Sequence, residues 1–151
     1  MENKEFKKTF GEIAKKYKFS NAFGGWFKAN EECLAILELQ KSSFGNNYYL
    51  NIKIFIQGAF SRVYTPNKDL IKSPIGHITN QIRDNKIFDF DNLLESDKRK
   101  IELEEFFKDV IIPFVDKTMS ISGVKELEAK GKITLLPAIK IELDKVGNLP
   151  N

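Results

Sequence analysis

Leu34–Gln57, LAILELQKSSFGNNYYLNIKIFIQ, decides the fold. From Tyr48 onward the apolar residues recur at every second position. Tyr48, Leu50, Ile52, Ile54 and Ile56 therefore share one face of a strand, and Tyr49, Asn51, Lys53, Phe55 and Gln57 share the other. Cys33 to Lys41 reads as a second strand. Its first half is apolar on both faces and is expected to be covered on both sides. In its second half Leu37 and Leu39 lie opposite Glu38 and Gln40. Ser42 to Asn47, rich in Ser, Gly and Asn, is the turn between them.

Working outward, residues 3–17 form an amphipathic helix, with Phe6, Phe10, Ile13, Ala14 and Tyr17 on one stripe and lysines flanking it. Gly24-Gly25 break the chain, and Trp26 to Lys28 suit a short strand. Residues 59–74 form a long, weakly patterned connection with Pro66 and Pro74. Ile75 to Arg83 reads as another strand, with Ile78 and Ile82 on one face and His77 as a polar strand residue. Lys86 to Asp97 is acidic and aromatic, a loop with a short helical turn. Asp97 is the expected cap of a helix over 98–118 that kinks at Pro113. Ser122 is the expected cap of a short helix over 123–130, closed by Gly131. Residues 133–146 fit either a strand or a helix, and helix is the preferred reading. The fold class is α+β: one domain over 1–151, with an antiparallel sheet of about four strands packed against the N-terminal helix and the long kinked late helix.

Of the 151 residues, 42% are hydrophobic, and thirteen are Phe, enough apolar surface to offset chain entropy. The net charge of +3 is mild, so a dedicated nucleic-acid binder is not expected. Six Lys against three Glu in residues 1–18 concentrate what basic charge there is. Cys33 is the one cysteine, which excludes an internal disulfide and fits a reducing compartment. The N-terminus lacks an apolar signal segment, and no apolar run is long enough for a membrane helix. Cytoplasmic placement without membrane attachment follows as the expectation. Frequent Lys, Asn, Ile and Phe suit an AT-rich bacterial genome.

The sequence contains no catalytic constellation. His77 is the one histidine, and Cys33 lies in a strand that reads as buried, where a thiol behaves as a small hydrophobe. Metal sites of His and Cys are excluded by the counts. Asp84, Asp89, Asp91, Glu95 and Asp97 cluster without the calcium-loop spacing and read as a solvated acidic loop. Glu38 and Lys41 are three apart, on opposite strand faces, which argues against a nuclease-type pair. No phosphate-binding glycine loop is found. No cofactor and no metal are expected.

The pattern Leu39-Gln40-Lys41-Ser42, a short Gly/Asn turn, then Tyr48-Tyr49 and Asn51 in an apolar strand resembles a bacterial domain-of-unknown-function family of small intracellular proteins. Tyr17-Lys18-Phe19, Trp26-Phe27, His77-Ile78 followed by Arg83, and Ile112-Pro113-Phe114 extend the likeness over most of the chain; between Arg83 and Phe90 the chain departs from the pattern. The family has no established activity. Some of its members look to be encoded beside polymorphic toxins, which would imply an immunity protein that binds and neutralises a toxin. The expected function is thus a non-enzymatic binding protein with a protein partner. Gln40, Lys41, Tyr49 and Asn51 are its candidate binding residues, because core packing does not account for them. The alternative is a nucleic-acid-associated module using the basic N-terminal helix and the Tyr49/Lys53 face. A metal-dependent hydrolase using the acids of 84–97 ranks last. Oligomeric state is not legible.

Overall fold

The computed structural model describes residues 2–148. Five strands form one antiparallel meander in chain order: β1 (Ser20–Ala22), β2 (Gly25–Ala29), β3 (Cys33–Lys41), β4 (Tyr48–Ile56) and β5 (Ile78–Ile82). The hairpin is its centre. β3 and β4 pair in continuous register from Cys33 opposite Ile56 to Lys41 opposite Tyr48. The strand count is five rather than about four. The addition is β1, too short to show a period and recognisable only through its pairing with β2.

One sheet face is the aromatic core. Helix α1 (Asn3–Lys16) lays Phe6, Phe10, Ile13 and Ala14 on it. Phe6 stacks on Tyr48 at 6.5 Å, and Phe10 meets Trp26 at 4.7 Å and Phe107 at 4.9 Å. The close approach needs Gly11, where a Cβ would stand 3.0 Å from Trp26 Nε1. On the other face, Leu34, Ile36 and Phe55 lie under a cover built from the connection after β4. That connection is more ordered than its sequence indicated: it contains a tight turn at Ala59–Ser61, where Phe60 and Ser61 take left-handed backbone conformations, and helix α2 (Lys68–Lys72), which buries Ile71. Tyr64 stacks on Phe55 at 5.5 Å.

The late helix is interrupted where expected, in a form the sequence did not indicate. Helix α3 (Ser96–Phe106) passes into a π-helical stretch, Phe107–Ile111, and then into α4 (Ile112–Thr118). Pro113 has no N–H to give the carbonyl four residues earlier, and the widened turn lies directly before it. Both expected caps are corrected. Glu95, not Asp97, is the N-cap of α3, and it makes no side-chain cap; Asp97 is in the first turn. Ser120, not Ser122, caps α5 (Ile121–Ala129), its Oγ accepting from Gly123 N–H at 3.0 Å. Residues Pro137–Gly147 are helix α6, with Ile139 and Leu143 buried. The preference for helix holds here because Pro137 is at the first turn, where a missing N–H costs nothing.

Candidate functional site

The second sheet face changes character along its length. Toward the β2–β3 end it is apolar and covered. Toward the β3–β4 turn it is polar, buried at Glu38 and Asn51 and exposed at Gln40. Strand register puts Glu38 beside Asn51, Gln40 beside Tyr49, and Gln81 of β5 on the far side of Asn51.

The polar half is anchored by Lys53, whose side chain is 0% exposed. Its ammonium is 3.1 Å from Glu38 Oε1 and donates to the backbone carbonyls of Leu70 (3.2 Å), Ile71 (2.5 Å) and Ser73 (2.7 Å). Those carbonyls end α2, where a cation also complements the helix dipole. Burial pushes the Lys53 amine below its ordinary range, and Glu38 opposes that shift. The charge therefore both welds α2 to the sheet and orients Glu38.

From Glu38 a chain of hydrogen bonds runs toward solvent. Asn51, 1% exposed, donates through Nδ2 to Glu38 Oε1 at 3.2 Å and to Gln40 Oε1 at 2.9 Å. Its Oδ1 accepts from Gln81 Nε2 at 2.6 Å. Gln81 Oε1 accepts from Arg83 Nε. The Arg83 guanidinium lies 4.7 Å from the Tyr49 ring centroid, a cation–π contact. Asn51 thus spends its amide inside the fold, while exposed Gln40 and Arg83 and half-buried Tyr49 and Gln81 carry the arrangement to the surface. The buried Asn51 orders this surface group from below.

Lys41 stands apart from the other three candidates. Strand alternation turns it to the opposite face, where Nζ donates to Gly45 O at 2.9 Å and Asn46 Oδ1 at 3.2 Å and lies 5.6 Å from the Tyr48 ring. It braces the β3–β4 turn. Ser42 Oγ, which accepts from Phe44 N–H at 3.1 Å and lies 3.3 Å from Tyr49 Oη, braces it from the other side.

A second loop joins this turn. Asn46 N–H donates to Asp91 Oδ2 at 3.1 Å, and Phe90 N–H donates to Asn46 O at 2.8 Å. Arg99, 2% exposed, holds that loop from beneath through the carbonyls of Lys86 and Ile87 and a 4.6 Å contact with the Phe90 ring. The paired loops display Phe44, 94% exposed, and Leu93, 100% exposed. Among the described residues these two are the barest of the large apolar side chains, and both stand on backbone tied at several points.

The remaining candidates are engaged elsewhere. Cys33 is fully buried, and burial pushes its thiol up to about 12. His77 lies just before β5 rather than within it. Its Nδ1 accepts from Ile56 N–H at 2.9 Å, and burial lowers its pKa to about 4. Neither is poised as nucleophile or base. In the acidic loop Asp89 accepts from Asp91 N–H, and no group of three metal-ligating side chains gathers among the described residues. No helix among them is long and apolar enough to cross a membrane.

Alternation along β4 groups Tyr49, Asn51 and Lys53 but does not bring Glu38, Gln81 and Arg83 into the same cluster. Alternation along β3 puts Glu38 and Gln40 on one face; what was missing was the register that sets them beside Asn51. A family model described as a domain of unknown function, DUF4304, matches residues 10–117. No curated protein and no solved structure matches. The matched span takes in all five strands, the polar sheet face and both paired loops, and the chain belongs to this DUF4304 family.

Proposed function

We propose that this is a non-enzymatic binding protein whose partner is another protein, and that it acts as an immunity protein by occupying the active site of a toxin. The observation that carries the binding reading is the display of Phe44 and Leu93 on two hydrogen-bonded loops. Exposed apolar anchors beside an ordered polar face, here Gln40, Tyr49, Gln81 and Arg83, are what protein interfaces use for affinity and register. The immunity role rests on the family resemblance. Co-expression with the product of the adjacent gene tests it. A stable complex and protection of cells are expected, both lost in Phe44→Ser/Leu93→Ser. Absence of a complex, or protection untouched by that double variant, would refute the reading.

One observation favours a second reading. Lys7, Lys8, Lys15 and Lys18 line a groove of about 710 Å³ with Phe19 and Trp26, and Glu12 is the one acid among its lining residues. A nucleic-acid-associated module would use this groove, with binding that falls steeply with salt. Gel shifts at low salt decide it: no retardation removes it.

A further inference from the structure

The two edges of the sheet are not alike. β1 is three residues long, a length at which an edge offers little to pair with. β5 is five residues long, ITNQI, with no Pro, Lys or bulge. Beyond its ladder to β4, none of its backbone groups hydrogen-bonds to another backbone group or to a side chain among the described residues. A groove of about 540 Å³ runs beside the start of this edge, lined in part by Ile75, Phe114, Ile133 and Leu136. Ile75 is 59% exposed and Leu136 63% exposed. An unprotected edge flanked by bare apolar side chains is a template for another strand.

The β5 sequence is close to self-complementary. Ile78-Thr79-Asn80-Gln81-Ile82 is palindromic in character about Asn80: apolar, polar, Asn, polar, apolar. We propose that β5 pairs antiparallel with β5 of a second copy across a two-fold axis at Asn80, giving a homodimer with one continuous ten-stranded sheet. In that register Ile78 meets the partner's Ile82 twice over on the core side. Thr79 meets the partner's Gln81 on the polar side, and the two Asn80 carboxamides face each other on the axis, each able to donate and accept. A two-fold interface must be self-complementary in this way. Pairing also joins the two polar faces, because Gln81 and Arg83 of each chain come beside the other chain's β5.

Light scattering on a sizing column tests the assembly. At tens of micromolar the wild type is expected at twice the chain mass of 17.4 kDa, and Asn80→Lys, which sets two ammonium groups on the axis, at the single mass. Asn80→Cys tests the register independently of any folding defect in the lysine variant. Opposed Cα atoms of an antiparallel pair lie about 4.5–5.5 Å apart, within disulfide range. Mild oxidation should convert most of Asn80→Cys to a covalent dimer, while Thr79→Cys and the wild type, with only buried Cys33, stay uncross-linked. A monomeric wild type, or a dimer that Asn80→Cys does not trap, overturns the proposal. Neither result bears on toxin binding, which is read with Phe44→Ser/Leu93→Ser.

Discussion

Lys53 is the residue on which the polar face depends. A buried ammonium is tolerated here because one carboxylate and three carbonyls receive it. Lys53→Met fills the space but leaves Glu38 as a buried anion without its partner. The expected cost is about 3–5 kcal/mol by urea unfolding. Adding Glu38→Gln should recover part of it, because the uncompensated charge is gone. His77 makes the opposite case. Its Nδ1 must stay unprotonated to accept from Ile56 N–H, and its pKa falls to about 4 from an ordinary 6.5. Protons are then bound more readily by the unfolded chain between those values. His77 stabilises the fold fully above pH 6.5, and that contribution is lost as pH falls toward 4. The ring is partly solvent-screened, so the loss is about 1–2 kcal/mol. His77→Asn keeps an acceptor near the same place and cannot titrate. Its stability, followed from pH 7 to 4, should decline less than the wild type's by that amount. From sequence, Lys53 could be placed on a face but not in a pocket, since the carbonyls that solvate it come from a connection with almost no pattern.

Among elements, the α4–α5 junction shows how local chemistry and packing divide the work. Ser120 satisfies the Gly123 N–H, and Ser120→Ala should cost about 1 kcal/mol. Ser122→Ala should fall within about 0.5 kcal/mol of the wild type, since Ser122 is exposed and caps nothing. Gly123→Ala should be far worse: an added Cβ would stand 1.8 Å from the Lys117 carbonyl oxygen. Relief requires the two helices to separate, at about 3 kcal/mol or more. Thermal melts of the three variants rank them. Either serine suits a cap by type, and the helix start, set by the turn after α4, chooses between them. Helix boundaries of this kind are decided by how one element leaves the last, which no periodicity records. The β3–β4 hairpin is the contrary case. Its strand limits were readable to within a residue because alternation, a polar turn and a buried face all agree.

At the scale of the whole molecule, one sheet face holds the aromatic core, and the other passes from buried Leu34, Ile36, Glu38 and Asn51 to exposed Gln40. Phe44 and Leu93 lie outside every packed layer, so Phe44→Ser/Leu93→Ser should leave the melting temperature nearly unchanged while weakening partner binding at least tenfold. A binding loss matched by a fall in melting temperature would mean that these side chains serve the fold instead. The sequence by itself determined the α+β class, the central hairpin, the aromatic stripe of α1 and the interruption near Pro113. Each follows from a period or a backbone restriction acting within a few residues. It also singled out Gln40, Tyr49 and Asn51, as polar or amphipathic groups on strands otherwise apolar. Only the tertiary structure decided that Asn51 is the buried link and Gln40 and Tyr49 its surface ends, that Lys41 serves the turn, and that Gln81 and Arg83 complete the cluster. It alone brought the 89–95 loop against the β3–β4 turn and left β5 as an open edge. Those outcomes depend on strand register, which sets Asn51 beside Glu38 and Gln40, and on contacts as distant in the chain as Asn51 with Gln81 and Asn46 with Asp91, and such pairings leave no trace in the spacing of side chains along the chain.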